Sequence, residues 1–197
     1  MICLFISISC FADSTILIVG DSLSAGYGID IQQGWVALLR NRLQSEGYSY
    51  QVINDSISGD TTSDGLATLP DDLKAHQPNI VIIELGGNDA LRGIPLDTTR
   101  DNLTQLITLS QKSKAKVLLL GLRLAPNLGP VYTQEFRSLY PNLAKQYKTA
   151  VVPLFLNGVD ANPQLMQDDG IHPRAEAQLK LLENVWPVLQ LLLNKKS

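Results

Sequence analysis

Short apolar runs alternate with longer stretches in which apolar residues recur at helical spacing. Thr15-Ile16-Leu17-Ile18-Val19 is continuously apolar and stops at Gly20, the pattern of a strand buried on both faces. Residues 35–43 have helical spacing and stop at Gly47. Residues 50–54 form a second short strand, and residues 63–75 read as helix despite Pro70. Asn79-Ile80-Val81-Ile82-Ile83-Glu84-Leu85 is the clearest strand and runs into Gly86-Gly87. Residues 98–113 form a helix with Leu103, Leu106, Ile107 and Ser110 on one face. Residues 116–120 are a fourth strand, and residues 132–147 are helical around Pro141, a residue able to kink or split the helix. Residues 150–154 are a fifth strand, and residues 175–193 a closing helix.

Five strands separated by helices form a βαβ series, which makes a parallel sheet covered by helices on both faces. In open sheets of this kind, ligands sit beyond the carboxyl ends of the strands. The loops that follow strands are therefore where chemistry is sought, and the fold alone does not name it.

Composition narrows the classes. The 197 residues are 45% hydrophobic and 18% charged, with a net charge of −3, which suits one globular domain and excludes a disordered chain. No basic cluster marks a nucleic-acid footprint. The two cysteines, Cys3 and Cys10, both fall in the first twelve residues. If that segment is removed, the remaining chain has no disulfide, no cysteine nucleophile and no cysteine metal site. Residues 1–12 are apolar and uncharged, too short to span a bilayer, and end with small residues at positions 10 and 12. They read as the apolar part of a secretory signal, although the first basic residue is Arg40. A buried N-terminal strand is the rival reading. The signal predicts a periplasmic or secreted protein, with residues 13–197 as a single domain.

The first post-strand loop is Gly20-Asp21-Ser22-Leu23-Ser24, which would stand a serine at the rim of the sheet. A serine needs a neighbouring base to act as a nucleophile. Alone the tripeptide is weak, since Asp and Ser commonly form turns and helix caps. Only two histidines exist. His76 reads as a solvated residue at a helix end. His172 follows Asp169 by three residues with Gly170 between, so a turn can return the carboxylate to the imidazole. Such a carboxylate orients the base and stabilises its protonated form. Gly59 follows the second strand, and Asn88 stands in Gly86-Gly87-Asn88-Asp89 after the third. The N–H groups of Ser22 and Gly59 with the Asn88 amide would make a three-donor oxyanion hole, each donor worth about 10²–10³ in rate. Each motif is weak alone; four on one rim make a strong signal.

These four blocks resemble those of the SGNH (GDSL) hydrolase family: Gly20-Asp21-Ser22-Leu23-Ser24, Ser58-Gly59-Asp60, Gly86-Gly87-Asn88-Asp89 and Asp169-Gly170-Ile171-His172-Pro173. Their order and spacing agree along nearly all of the chain after the leader. The longer runs from Gly20 to Gly28, Glu84 to Asp89, Leu91 to Gly93 and Met166 to Pro173 are similar to the bacterial periplasmic thioesterase/lysophospholipase branch, often labelled arylesterase. The resemblance implies a flavodoxin-like three-layer α/β/α sandwich on five parallel strands. It implies Ser22 as nucleophile, His172 as base and then acid, Asp169 as its partner, and Ser22, Gly59 and Asn88 as oxyanion donors. It implies no metal or organic cofactor. One departure is Ala90, where many relatives carry Gly, in a loop that the family moves on acyl binding.

The implied substrate is a small acyl ester, thioester or lysophospholipid, taken by a monomer without a stable membrane span. An acyl chain needs an apolar trough. Leu91, Ile94, Pro95 and Leu96 are candidates for one wall, and Pro126, Leu128 and Val131 for the other. Two rivals remain at this point. A carbohydrate acetyl esterase would use the same rim, but would favour exposed aromatics, and these are only 6% of the chain. The other is a non-catalytic flavodoxin-like binding or signalling module; a phospho-acceptor receiver would need an acidic cluster near the first strand and an Asp ending the third, where this chain has Gly20-Asp21-Ser22 and Gly86-Gly87-Asn88.

Overall fold

The structure is a computed structural model that describes residues 14–124 and 128–194. The leader and Pro126 lie outside the described residues. Five strands form one parallel sheet: β1 (Ser14–Gly20), β2 (Tyr50–Asn54), β3 (Ile80–Glu84), β4 (Lys116–Leu120) and β5 (Ala150–Val152), in the order β2-β1-β3-β4-β5. The α/β sandwich anticipated from the alternation is present.

Burial follows the apolar runs. Every residue of β3 is buried, as are the last six of β1 and the last four of β4. A side chain such as Ile82 or Leu119, fully removed from water, contributes about 1.5–3 kcal/mol. The helices supply the covering. On one face α2 (Trp35–Ser45) packs against α7 (Gln178–Gln190); on the other α3 (Thr62–His76) packs against α5 (Leu96–Lys112), and α5 against α6 (Pro130–Tyr147). In α5, Leu103, Leu106, Ile107 and Ser110 all face inward, as their spacing predicts.

Several boundaries shift by one to a few residues, and three places have a clear local reason. β5 ends at Val152 because the ladder slips there: the Gly121 N–H donates to Val152 O at 2.8 Å, but Gly121 O is taken by the Phe155 N–H, one residue later than a continuing parallel strand would supply. The closing helix begins as a 3-10 turn at Ala175–Ala177 and becomes α-helical at Gln178. Pro141 does not divide α6, whose buried Phe136, Leu139, Tyr140, Leu143 and Ala144 pin the helix on both sides of it.

From β1 the chain crosses to β2 on one side, and β3 begins on the other. The β1 and β3 carboxyl ends therefore flank the point where strand order reverses, which is where such sheets bind ligands. Two short helices begin there: α1 (Ser22–Ala25) after β1 and α4 (Gly87–Leu91) after β3.

Candidate active site

Ser22 opens α1 one residue after Asp21, whose side chain caps the helix by accepting the Leu23 N–H at 3.0 Å. The tight exit from β1 needs a glycine. A Cβ on Gly20 would stand 2.8 Å from Ser56 Oγ and 3.0 Å from Ser24 Cβ.

His172 arrives from the other end of the chain, 150 residues away. Its loop is closed by an antiparallel bridge between Met166 and Pro173 and by the Gln167 N–H donating to His172 O at 2.7 Å. Within it, Asp169 Oδ1 accepts the N–H groups of Ile171 at 2.9 Å and His172 at 3.0 Å, and Oδ2 lies 2.7 Å from His172 Nδ1. The His172 backbone N–H, its side chain and the Ile171 N–H hold the Asp169 pKa down, at about 2. An ionised Asp169 only accepts, so the imidazole carries its proton on Nδ1 and leaves the Nε2 lone pair free. That Nε2 lies 2.9 Å from Ser22 Oγ. Tyr27 covers the imidazole, with ring centroids 4.5 Å apart.

Asn88 lies in the first turn of α4, and its Nδ2 donates to Asp60 O at 2.9 Å and to Asp21 Oδ2 at 3.1 Å. The amide thus ties the ends of β1 and β3 to the loop after β2. Gly59 belongs to that loop, next to Asp60, and its carbonyl accepts from Arg92 Nη2 at 2.6 Å. The Ile57 N–H donates to Gly20 O at 3.1 Å and draws the same loop to the end of β1. The turn into α4 has φ +117° at Gly86, where a Cβ would also sit 2.5 Å from the Tyr140 hydroxyl. Behind the turn, fully buried Asp89 accepts the Thr62 N–H at 2.9 Å and the Thr99 hydroxyl at 3.2 Å, locking α4 to α3 and α5. Ala90 is buried in α4. His76 ends α3, a 15-residue helix whose first residue, Thr62, bonds to Asp89 at the rim, so the imidazole stands at the far end of that helix.

A groove of about 670 Å³ opens from Ser22 and His172. Its apolar walls are Leu23, Leu91, Leu122, Leu124, Leu156 and Met166, with the doubly bonded Arg123–Asp160 ion pair (3.0 and 2.6 Å) also lining it. Of the wall residues expected from sequence, Leu91 lines the groove. Ile94, Pro95, Leu96, Leu128 and Val131 do not. The chain turns back after α4, with the Ile94 N–H on Asp89 O at 2.9 Å, and α5 carries the segment off the rim from Leu96. The wall instead comes from segments following β4 and β5. Their leucines look like core in the sequence, and nothing local distinguishes them. Among the described residues no three of His, Cys, Asp and Glu gather as a metal site.

A hydroxyl, an imidazole and a carboxylate in hydrogen-bonded series beside an apolar groove can transfer an acyl group. The model of the GDSL-like Lipase/Acylhydrolase family matches residues 18–179. The chain belongs to this family. It is 53% identical to Esterase TesA of Pseudomonas aeruginosa over 182 residues, covering 92% of this chain and 90% of that one. It is 45% identical to Thioesterase 1/protease 1/lysophospholipase L1 of Escherichia coli K12 over 186 residues, 94% of this chain and 88% of that one. A crystal structure of TesA superposes with a TM-score of 0.90 at 53% identity, covering 91% of this chain and all of that one (100%).

Proposed function

We propose that this GDSL-family hydrolase cleaves acyl esters and thioesters through an acyl-enzyme on Ser22. The observation that carries this reading is the series Asp169 Oδ2 to His172 Nδ1 at 2.7 Å and His172 Nε2 to Ser22 Oγ at 2.9 Å, opening onto an apolar groove. The names of its relatives, an esterase and a thioesterase/lysophospholipase, support the same reaction class.

In the first half-reaction, His172 Nε2 takes the Ser22 proton as Oγ attacks the carbonyl carbon. The tetrahedral oxyanion is held by the N–H groups of Ser22 and Gly59 and by the Asn88 amide. The imidazolium, stabilised by Asp169, returns the proton to the departing alcohol or thiol. Water then attacks the acyl-enzyme with His172 again as base, and Ser22 is released. To serve the oxyanion, Asn88 redirects one of its two N–H bonds, and the 3.1 Å contact to Asp21 is the longer of the two.

The groove supports an acyl chain rather than a glycan. No Phe, Tyr or Trp lines it among the described residues. Each CH₂ buried there contributes about 0.8 kcal/mol, so kcat/KM rises about fourfold per added carbon until the groove is filled. Leu156→Trp, which narrows it, moves that limit to shorter chains. The leader read in residues 1–12 supports action in the periplasm or outside the cell, and the protein is proposed to act as a monomer.

The deciding experiment is fluorophosphonate labelling alongside hydrolysis of p-nitrophenyl esters. The wild type is labelled and active. Ser22→Ala is folded, unlabelled and slower by about 10⁴–10⁶ in kcat. A Ser22→Ala variant with near-full rate refutes the assignment.

A further inference from the structure

Beneath Ser22 two acids share a buried space that the reaction above does not use. Glu84 ends β3 opposite Gly20 in the β1–β3 register and is fully buried; Asp21 is 3% exposed. Adjacent strand ends set their carboxyl groups side by side, with Glu84 Oε2 3.5 Å from the Asp21 backbone nitrogen, close enough for each to act on the other's ionisation. Ser24 Oγ donates to Glu84 Oε2 at 2.8 Å, and the Asp21 N–H reaches the same oxygen at 3.5 Å. Glu84 Oε1 is buried and accepts no hydrogen bond. Asp21 is better served, with the Leu23 N–H on Oδ1 at 3.0 Å and Asn88 Nδ2 on Oδ2 at 3.1 Å. Among the described residues neither acid forms an ion pair with Lys or Arg. The other titratable groups in electrostatic reach are His172 and Asp60, near Asp21, and Tyr140, near both acids.

Two adjacent buried carboxylates with no cation between them do not both ionise. The acid with N–H donors on both oxygens keeps the charge, and the one with an undonated oxygen keeps the proton. We propose that Glu84 stands as a neutral carboxylic acid that donates its proton to Asp21, and that this contact positions the Asn88 amide for the reaction at Ser22. Burial drives the pKa of both acids upward, that of Glu84 much further, in the same sense.

This extends the hydrolase reading by one layer and rests on it. Asn88 commits one N–H to Asp60 O and the other to Asp21. The oxyanion must win the second from Asp21. An Asp21 carboxylate already engaged by the Glu84 proton grips that N–H less tightly. It also sets one negative charge below the oxyanion rather than two. Glu84 does not touch the reacting atoms and is a positioning residue.

The test compares Glu84→Gln with Glu84→Leu on p-nitrophenyl butyrate. Glutamine still donates to Asp21 and accepts from Ser24, so E84Q keeps most of kcat. Leucine fills the space without donating, so E84L loses about 10- to 100-fold in kcat with KM little changed. Equal loss in both variants, or full kcat in E84L, overturns the proposal. If E84L does not fold, E84Q and infrared spectroscopy decide. At pH 8 the wild type minus E84Q difference spectrum shows the C=O stretch of a neutral carboxylic acid; its absence means Glu84 is ionised and the proposal fails. The band is read in resting protein and persists in Ser22→Ala. An intact band in a protein without esterase activity therefore defeats the hydrolase reading, while a missing band in an active enzyme defeats this one.

Discussion

Asp169 and Asp21 both lie within electrostatic reach of His172, yet their surroundings drive them in opposite directions. Asp169 is over a third exposed, with a side-chain accessibility of 37%, and hydrogen bonds from His172 and Ile171 bring its pKa down to about 2. Asp21 is almost wholly buried, and desolvation outweighs its own N–H donors, so its pKa rises to about 6. The exposed acid is the dependable negative charge at neutral pH. The buried one keeps its charge only by sharing a proton with a neighbour. Donor count and solvent access, rather than residue type, divide the work between two aspartates on one rim.

The contrast breaks most sharply at Asp169. Asp169→Asn leaves an amide that can hold His172 in the wrong tautomer, and kcat for ester hydrolysis falls by about 10³–10⁴. A loss below tenfold would mean that the exposed carboxylate does not orient the base. Asn88→Ala acts on the other side. It removes an oxyanion donor and lowers kcat by about 10²–10³, with KM nearly unchanged; unchanged kcat would remove Asn88 from the oxyanion site.

The smaller effects concern stability, and the two acids give opposite signs. Asp169, depressed in the native protein, contributes stability above its ordinary value of 3.8 that is lost as pH falls towards about 2. Asp21, raised in the native protein, holds a proton that the unfolded chain releases. Its contribution is therefore lost as pH rises from about 3.8 through about 6. Melting temperature against pH reads both. An Asp21→Asn/Glu84→Gln double variant has a flatter profile than wild type between pH 4 and 6, and Asp169→Asn a flatter one between pH 4 and 2. Parallel profiles for all three proteins would show that these groups carry no linkage to folding.

The sequence exposed much of this site and hid a definable part. Ser22, Asp169 and His172 were legible because glycines, a histidine and acids stood out at the ends of apolar runs. Gly59 and Asn88 were proposed through the order of the four blocks, and of the two Asn88 lines the groove beside Ser22. Leu122, Leu124, Leu156 and Met166 were not legible, since a leucine on a groove wall and one in a core are written alike. Glu84 was read only as the end of a strand, because its partner across the sheet is 63 positions away. Pairing register, which the one-dimensional pattern does not carry, turns an ordinary strand-end acid into a buried one. Strand limits were nearly right, and β5 ends early where its pairing with the segment after β4 slips by one residue.

The 150-residue separation of Ser22 from His172 has a consequence for the making of the protein. The hydroxyl follows the first strand and the imidazole follows all five. The sheet can therefore be complete in a growing chain before the base proposed for the serine has been made. With the roles proposed for these two residues, a polypeptide cut short anywhere before position 172 is expected to be inert towards esters.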